Sequence, residues 1–126
     1  MAKPKVNFFF DPRAEIWIDE WPEIETRFHT SMTAYSSCFD FNVLPDYLGD
    51  KKVKPLIIMT QDKYDFHKID YIARYFQHNF DTIILWAGRG KKPEKSFLPV
   101  LSWNQVKSCP DRLDWPKVYQ LALMPE

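Results

Sequence analysis

The sequence predicts an α/β layered domain with a mixed sheet of four or five strands, and three observations carry that expectation. Two short apolar runs, Leu56-Ile57-Ile58-Met59-Thr60 and Thr82-Ile83-Ile84-Leu85-Trp86, have the length and composition of strands buried on both faces. Between them Phe66, Ile69, Ile72, Ala73, Phe76 and Phe80 recur at helical spacing. Residues 54–87 therefore read as strand, a helix of about 17 residues and a parallel strand joined by a right-handed crossover. The length of 126 residues suits one domain, 1–126, and leaves no room for separate cofactor and substrate domains.

The remaining elements follow along the chain. Lys5 to Phe10 is a short apolar run, Asp11-Pro12-Arg13 has turn chemistry, and Glu15 to Asp19 alternates with period two, which suggests a hairpin or two adjacent strands. Pro22 stands at a first helical position with acids around it, and Ile24, Phe28, Met32 and Tyr35 recur at helical spacing. This predicts a helix over about residues 22–35. Residues 36–54 show no sustained period, with a short helical turn expected at 45–48. After the second apolar run, residues 97–103 read as another strand. Asp114-Trp115-Pro116 then opens a short C-terminal helix with Val118, Leu121 and Ala122 on one face.

Composition narrows the function classes. The chain carries 17 basic and 17 acidic side chains with 45% apolar residues, which is neither a disordered composition nor that of a generally basic nucleic-acid binder. Its apolar runs are far short of the roughly 20 residues that span a bilayer. The first residues are too short an apolar segment for a signal peptide, and two cysteines, Cys38 and Cys109, make no multi-bridge framework. A cytoplasmic protein with reduced thiols and no membrane contact is expected.

Two surfaces stand out. On the helix after Asp62, Tyr64, His67, Tyr71, Tyr75 and His78 gather opposite the apolar face, flanked by Lys68 and Arg74. Tyrosine offers a large contact area with little rotamer entropy to lose, so the stripe reads as a protein-binding face. Its alternative is internal packing against residues 36–54. The second surface is the basic loop holding Gly88, Arg89, Gly90, Lys91, Lys92 and Lys95 directly after a strand. Such a loop can wrap a phosphate at the carboxyl edge of an α/β sheet. Asp11 and Asp62 at neighbouring strand ends are the candidates for metal-assisted phosphoryl chemistry there. Alternatively, the lysines only keep a sheet edge soluble.

Other chemistry is poorly supported. No Gly-x-x-x-x-Gly-Lys-Ser/Thr, Gly-x-Gly-x-x-Gly or Gly-x-Ser-x-Gly motif occurs, and no base is identifiable beside Cys38. His67 and His78 lie eleven residues apart, about 16 Å along one helix, so no metal and no cofactor is expected. The leading expectation is thus a small non-enzymatic regulatory protein with a protein partner, of the kind that viral or mobile-element accessory proteins represent. The second is a phosphate-, nucleotide- or nucleic-acid-binding domain using the basic loop.

Overall fold

The computed structural model describes residues 5–10, 22–24, 26–28, 31–35, 41–94, 96–110 and 112–126, with residues 5 and 31–35 described by their backbone. Strands β1 (Lys5–Phe9), β2 (Ser31–Tyr35), β3 (Leu56–Thr60), β4 (Thr82–Trp86) and β5 (Val100–Ser102) form one sheet in the order β2-β1-β3-β4-β5. Every pairing is parallel, with Leu56 opposite Thr82 and Thr60 opposite Trp86 in the central pair. Where the sequence reads as a mixed sheet, the described strands are thus all parallel. From β1 the chain turns outward to β2, then returns to the other side of β1 for β3, β4 and β5. The switch point of this doubly wound order lies between β1 and β3.

Parallel strands need cover on both faces, and residue alternation assigns the two layers. Phe8, Ile57, Met59, Ile83, Leu85 and Leu101 point to one side. There they meet Ile24, Phe28 and the buried residues of α3 (Trp103–Lys107) and α4 (Trp115–Leu123). Phe9, Leu56, Ile58, Ile84, Trp86 and Val100 point to the other side, against α1 (Leu44–Gly49) and α2 (Lys63–Ala73). Residues of β3 and β4 are buried throughout, and each fully buried Ile or Leu contributes about 1.5–3 kcal/mol relative to exposure. These two strands are the centre of the molecule.

Caps define where the helices start. Asp62 accepts from the amides of Tyr64 and Asp65 at α2, and Asp114 accepts from Lys117 N–H at α4. Ser102 and Gln105 form a reciprocal capping box on α3. A short 3₁₀ turn, Lys51–Val53, leads into β3.

Three further sequence expectations change. Residues 22–24 and 26–27 are helical, but the predicted helix does not continue to Tyr35, because Ser31–Tyr35 pairs with β1 as β2. The helix after Asp62 stops at Ala73 instead of running to Phe80. Its end is closed by tight turns, Tyr75 N–H to Ile72 O and Phe76 N–H to Ala73 O. The strand predicted at 97–103 shortens to Val100–Ser102, and Trp103 opens α3 instead. The helical turn at 45–48 and the C-terminal helix are present as α1 and α4. The second strand of the predicted hairpin, 15–19, lies outside the described residues.

Candidate functional site

Helix α2 presents two faces with opposite fates. Phe66, Ile69 and Ala73 are buried on the sheet, while α1 brings Leu44 and Leu48 to the same cluster. This leaves the tyrosines outside: Tyr64 is 70% exposed, Tyr71 55% and Tyr75, just past the helix end, 73%. The alternative from sequence is internal packing on residues 36–54, and the described part of that segment, 41–54, does not bury them. Tyr71 and Tyr75 meet edge to face at 5.7 Å, and the Tyr75 hydroxyl donates to that of Tyr71 at 3.3 Å. That hydrogen bond, then the neighbouring Tyr71 charge, raises the Tyr75 pKa above that of an ordinary phenol.

Both signs of charge stand around these rings. Lys63, His67, Lys68 and Arg74 are exposed. Asp62 is spent on the helix cap, Asp65 is half-buried and Asp70 is buried. The Asp70 carboxylate accepts from Ser96 Oγ at 2.7 Å and Phe97 N–H at 2.6 Å, which pins the chain entering β5. Lys68 also lies 6.0 Å from the centre of the Phe41 ring.

His78 leaves the predicted stripe. Beyond the early end of α2 its ring turns inward, and Nε2 donates to Ala73 O at 3.1 Å, since a carbonyl can only accept. Nδ1 is left 3.8 Å from Asp81 Oδ1 with no hydrogen-bond partner, and the ring packs edge-on to Phe97. Burial pushes the His78 pKa down, helped by the Lys54 charge and opposed by the Ala73 carbonyl and Asp81.

The basic loop divides in the same way. Because β3 and β4 are parallel and in register, Thr60, Asp62 and the loop do open on one edge, and Ala87 N–H donates to Thr60 O. Gly88 is required there: a Cβ would lie 2.4 Å from the Trp86 indole and 2.5 Å from Gln61 O. Gly90 has φ of 79°, in the left-handed region that favours glycine, and Arg89 and Lys91 are exposed.

Lys92, in contrast, is 9% exposed. Its ammonium donates to Met124 O (2.5 Å), Val100 O (2.6 Å) and Gln105 Oε1 (3.0 Å), with Ala122 O at 3.4 Å. An ammonium has three protons, so the first three contacts account for its donors. Burial lowers its pKa, and the Glu126 carboxylate opposes that shift. The cation seals the open edge of β5 and sits at the C-terminal end of α4, where helix carbonyls favour positive charge. As the chain folds, Lys92 is therefore a structural tie rather than a free phosphate ligand.

Gln105 is the residue sequence reasoning missed. It accepts from Ser102 N–H and Lys92 Nζ and donates to Leu121 O and Met124 O. The spacing Ser102-x-x-Gln105 is a capping-box signature that was open to detection. The Asp62 carboxylate is occupied by two amides, and Asp11, Lys95 and Cys38 lie outside the described residues. Among the described residues no group of three or more metal-ligating side chains assembles, and no helix is long and apolar enough to cross a membrane. No family model, curated protein or solved structure matches this chain.

Proposed function

We propose that this chain is a cytoplasmic, non-enzymatic regulatory protein that binds a protein partner through the outer face of α2. The observation that carries this reading is the exposed, mutually locked pair Tyr71 and Tyr75, in line with Tyr64 and set among exposed cations. Aromatic anchors already held in place lose little entropy on binding. Lys63, Lys68 and Arg74 favour an acidic surface on the partner, which would speed encounter and fix orientation. A cytoplasmic setting fits a chain with two cysteines and no multi-bridge framework.

Affinity capture from nuclease-treated lysate tests the reading. Wild-type protein should retain a partner, and Tyr71→Ala with Tyr75→Ala should weaken it by about 2 kcal/mol or more, roughly 30-fold. Lys68→Glu with Arg74→Glu should weaken it too and flatten its salt dependence. Melting temperatures should stay near wild type, because all four side chains are exposed. Arg89→Ala with Lys91→Ala should leave capture intact. Material lost on nuclease treatment, or binding that survives loss of both tyrosines in a folded variant, would sink the proposal and favour the basic loop.

A further inference from the structure

Ala73 O, where α2 ends, accepts from Phe76 N–H and also from a side chain, His78 Nε2 at 3.1 Å. The His78 side chain is 5% exposed, and with its one proton on Nε2 the neutral ring keeps a bare lone pair on Nδ1, buried and without a hydrogen-bond partner. Facing that lone pair at 3.8 Å is another acceptor, Asp81 Oδ1. Two acceptors gain nothing from each other, whereas a proton on Nδ1 would make them an ion pair. The same ring packs edge-on to Phe97, whose N–H is fixed by Asp70 of α2. His78 thus joins the end of α2, the start of β4 and the chain entering β5.

Charged groups approach the ring from the elements packed around it. Lys54, ahead of β3, donates to Thr82 Oγ1 at 3.0 Å, and Thr82 Oγ1 donates at 2.9 Å to the same Asp81 oxygen that faces His78. On α2, Asp70 is turned to Ser96 Oγ and Phe97 N–H. Lys91, Lys92, Glu94 and Glu126 line a cavity of about 720 Å³ that His78 borders, where Lys92 N–H is bonded to Glu126. Burial is the largest influence on His78 and disfavours a proton; Ala73 O and Asp81 favour one, Lys54 opposes it, and the pKa lies below its ordinary value. An imidazolium is therefore less at ease in this seat than in water.

We propose that His78 is a proton-operated latch for the α2 face: the neutral ring holds the turn after Ala73 in the shape that joins Tyr75 to Tyr71, and protonation lets that turn open. The link is short. Tyr75 N–H donates to Ile72 O and Phe76 N–H to Ala73 O in the turn that His78 fastens, and from that turn the Tyr75 ring and hydroxyl meet Tyr71. Opening frees the imidazole to take up a proton, so acid shifts the population toward open molecules. The inference rests on the reading of this face as a contact surface and adds its regulation. A partner gripping both tyrosines is held more tightly at neutral pH than at about pH 5.5, across the range in which histidine changes charge.

Amide hydrogen exchange on the full chain, corrected for the intrinsic pH dependence of exchange, tests the latch without any partner. The latch can therefore fail while the contact surface stands, and the reverse. Tyr75 and Phe76 should be protected at about pH 7.5, though less than Ile84, whose N–H is bonded to Pro99 O between β4 and β5. Their protection should fall several-fold by about pH 5.5, following the titration of the His78 ring read by NMR in the same samples. His78→Gln can still donate to Ala73 O and does not titrate, so it should remove the fall. Asp81→Asn should move the fall to lower pH, because the charge that favours the proton is gone while an oxygen remains for Thr82. If His78→Gln does not fold, the Asp81→Asn shift decides alone. Protection that rises in acid would show the imidazolium pairing with Asp81 in its seat and overturns the proposal. So do a flat profile in the wild type, a fall that persists in His78→Gln, and a turn that opens only together with Ile84.

Discussion

Lys92 and His78 show how the same residue type changes meaning with a few ångströms of placement. Both look like surface functional groups in the sequence, and both are drawn inward to satisfy backbone carbonyls. Replacing Lys92 with Met keeps much of the aliphatic stem but takes the ammonium from Val100 O and one of two donors from each of Met124 O and Gln105 Oε1. A loss on the order of 2–4 kcal/mol is expected, read as a lower urea midpoint with unchanged slope. Lys92→Arg should not rescue it, because a planar fork cannot reproduce the directions of a compact ammonium. For His78 the sign follows from its depressed pKa: the folded state binds fewer protons than the unfolded one near the ordinary value of 6.5. Its contribution is therefore fully present above pH 6.5 and is lost as pH falls through the lower folded pKa. Melting temperature should drop between pH 7.5 and 5.5, and His78→Gln should flatten that drop; an equal drop in both proteins would count against this role.

At the level of elements, helix α2 was legible in its start and face but not in its end. Asp62 before a run of period 3.6 announces the start, whereas no Gly or Pro occurs between Lys63 and Ala87 to announce the stop. The stop is closed by turns to Ile72 O and Ala73 O and joined by His78 bonding Ala73 O, five residues away in sequence and recognisable only once the turn is formed. This ending decides the candidate site, since it keeps Tyr64 and Tyr71 on one helical face, leaves Tyr75 bonded to Tyr71 and takes His78 away. Tyr75→Phe tests the lock itself: it removes the hydroxyl bond while keeping the ring contact, and partner affinity should fall by less than in Tyr75→Ala. Strand β2 was misread for a related reason. Ile24, Phe28 and Met32 are four apart, a spacing that a strand's period of two also satisfies, and the choice fell to pairing with β1.

For the whole molecule, the two-sided sheet makes neighbouring residues report on different layers. Ile57 packs with the cluster of α3 and α4, and Ile58 with that of α1 and α2, though one peptide bond separates them. Each is fully buried, so Ile57→Ala and Ile58→Ala should each cost about 2–5 kcal/mol. If the sheet couples both layers into one cooperative unit, each variant should shift a single transition seen alike by far-ultraviolet circular dichroism and tryptophan fluorescence. Separate transitions for the two probes would show that the layers unfold independently.

The sequence by itself determined what depends on local period and cap chemistry: the central strand, helix and strand at 54–87, the final helix and the placing of Tyr64 and Tyr71 opposite the apolar face of α2. Only the tertiary structure decided the order and direction of the strands, the end of α2 and the fate of Lys92. It also brought Glu126 to Lys92 and Asn104. The physical reason is common to all of these. A cation, a carboxylate or an edge strand is equally well satisfied by water, and the choice between solvent and a buried partner is made by groups far away in the chain. Lys92 meets Met124 across 32 residues and Glu126 across 34, and no local pattern encodes that meeting.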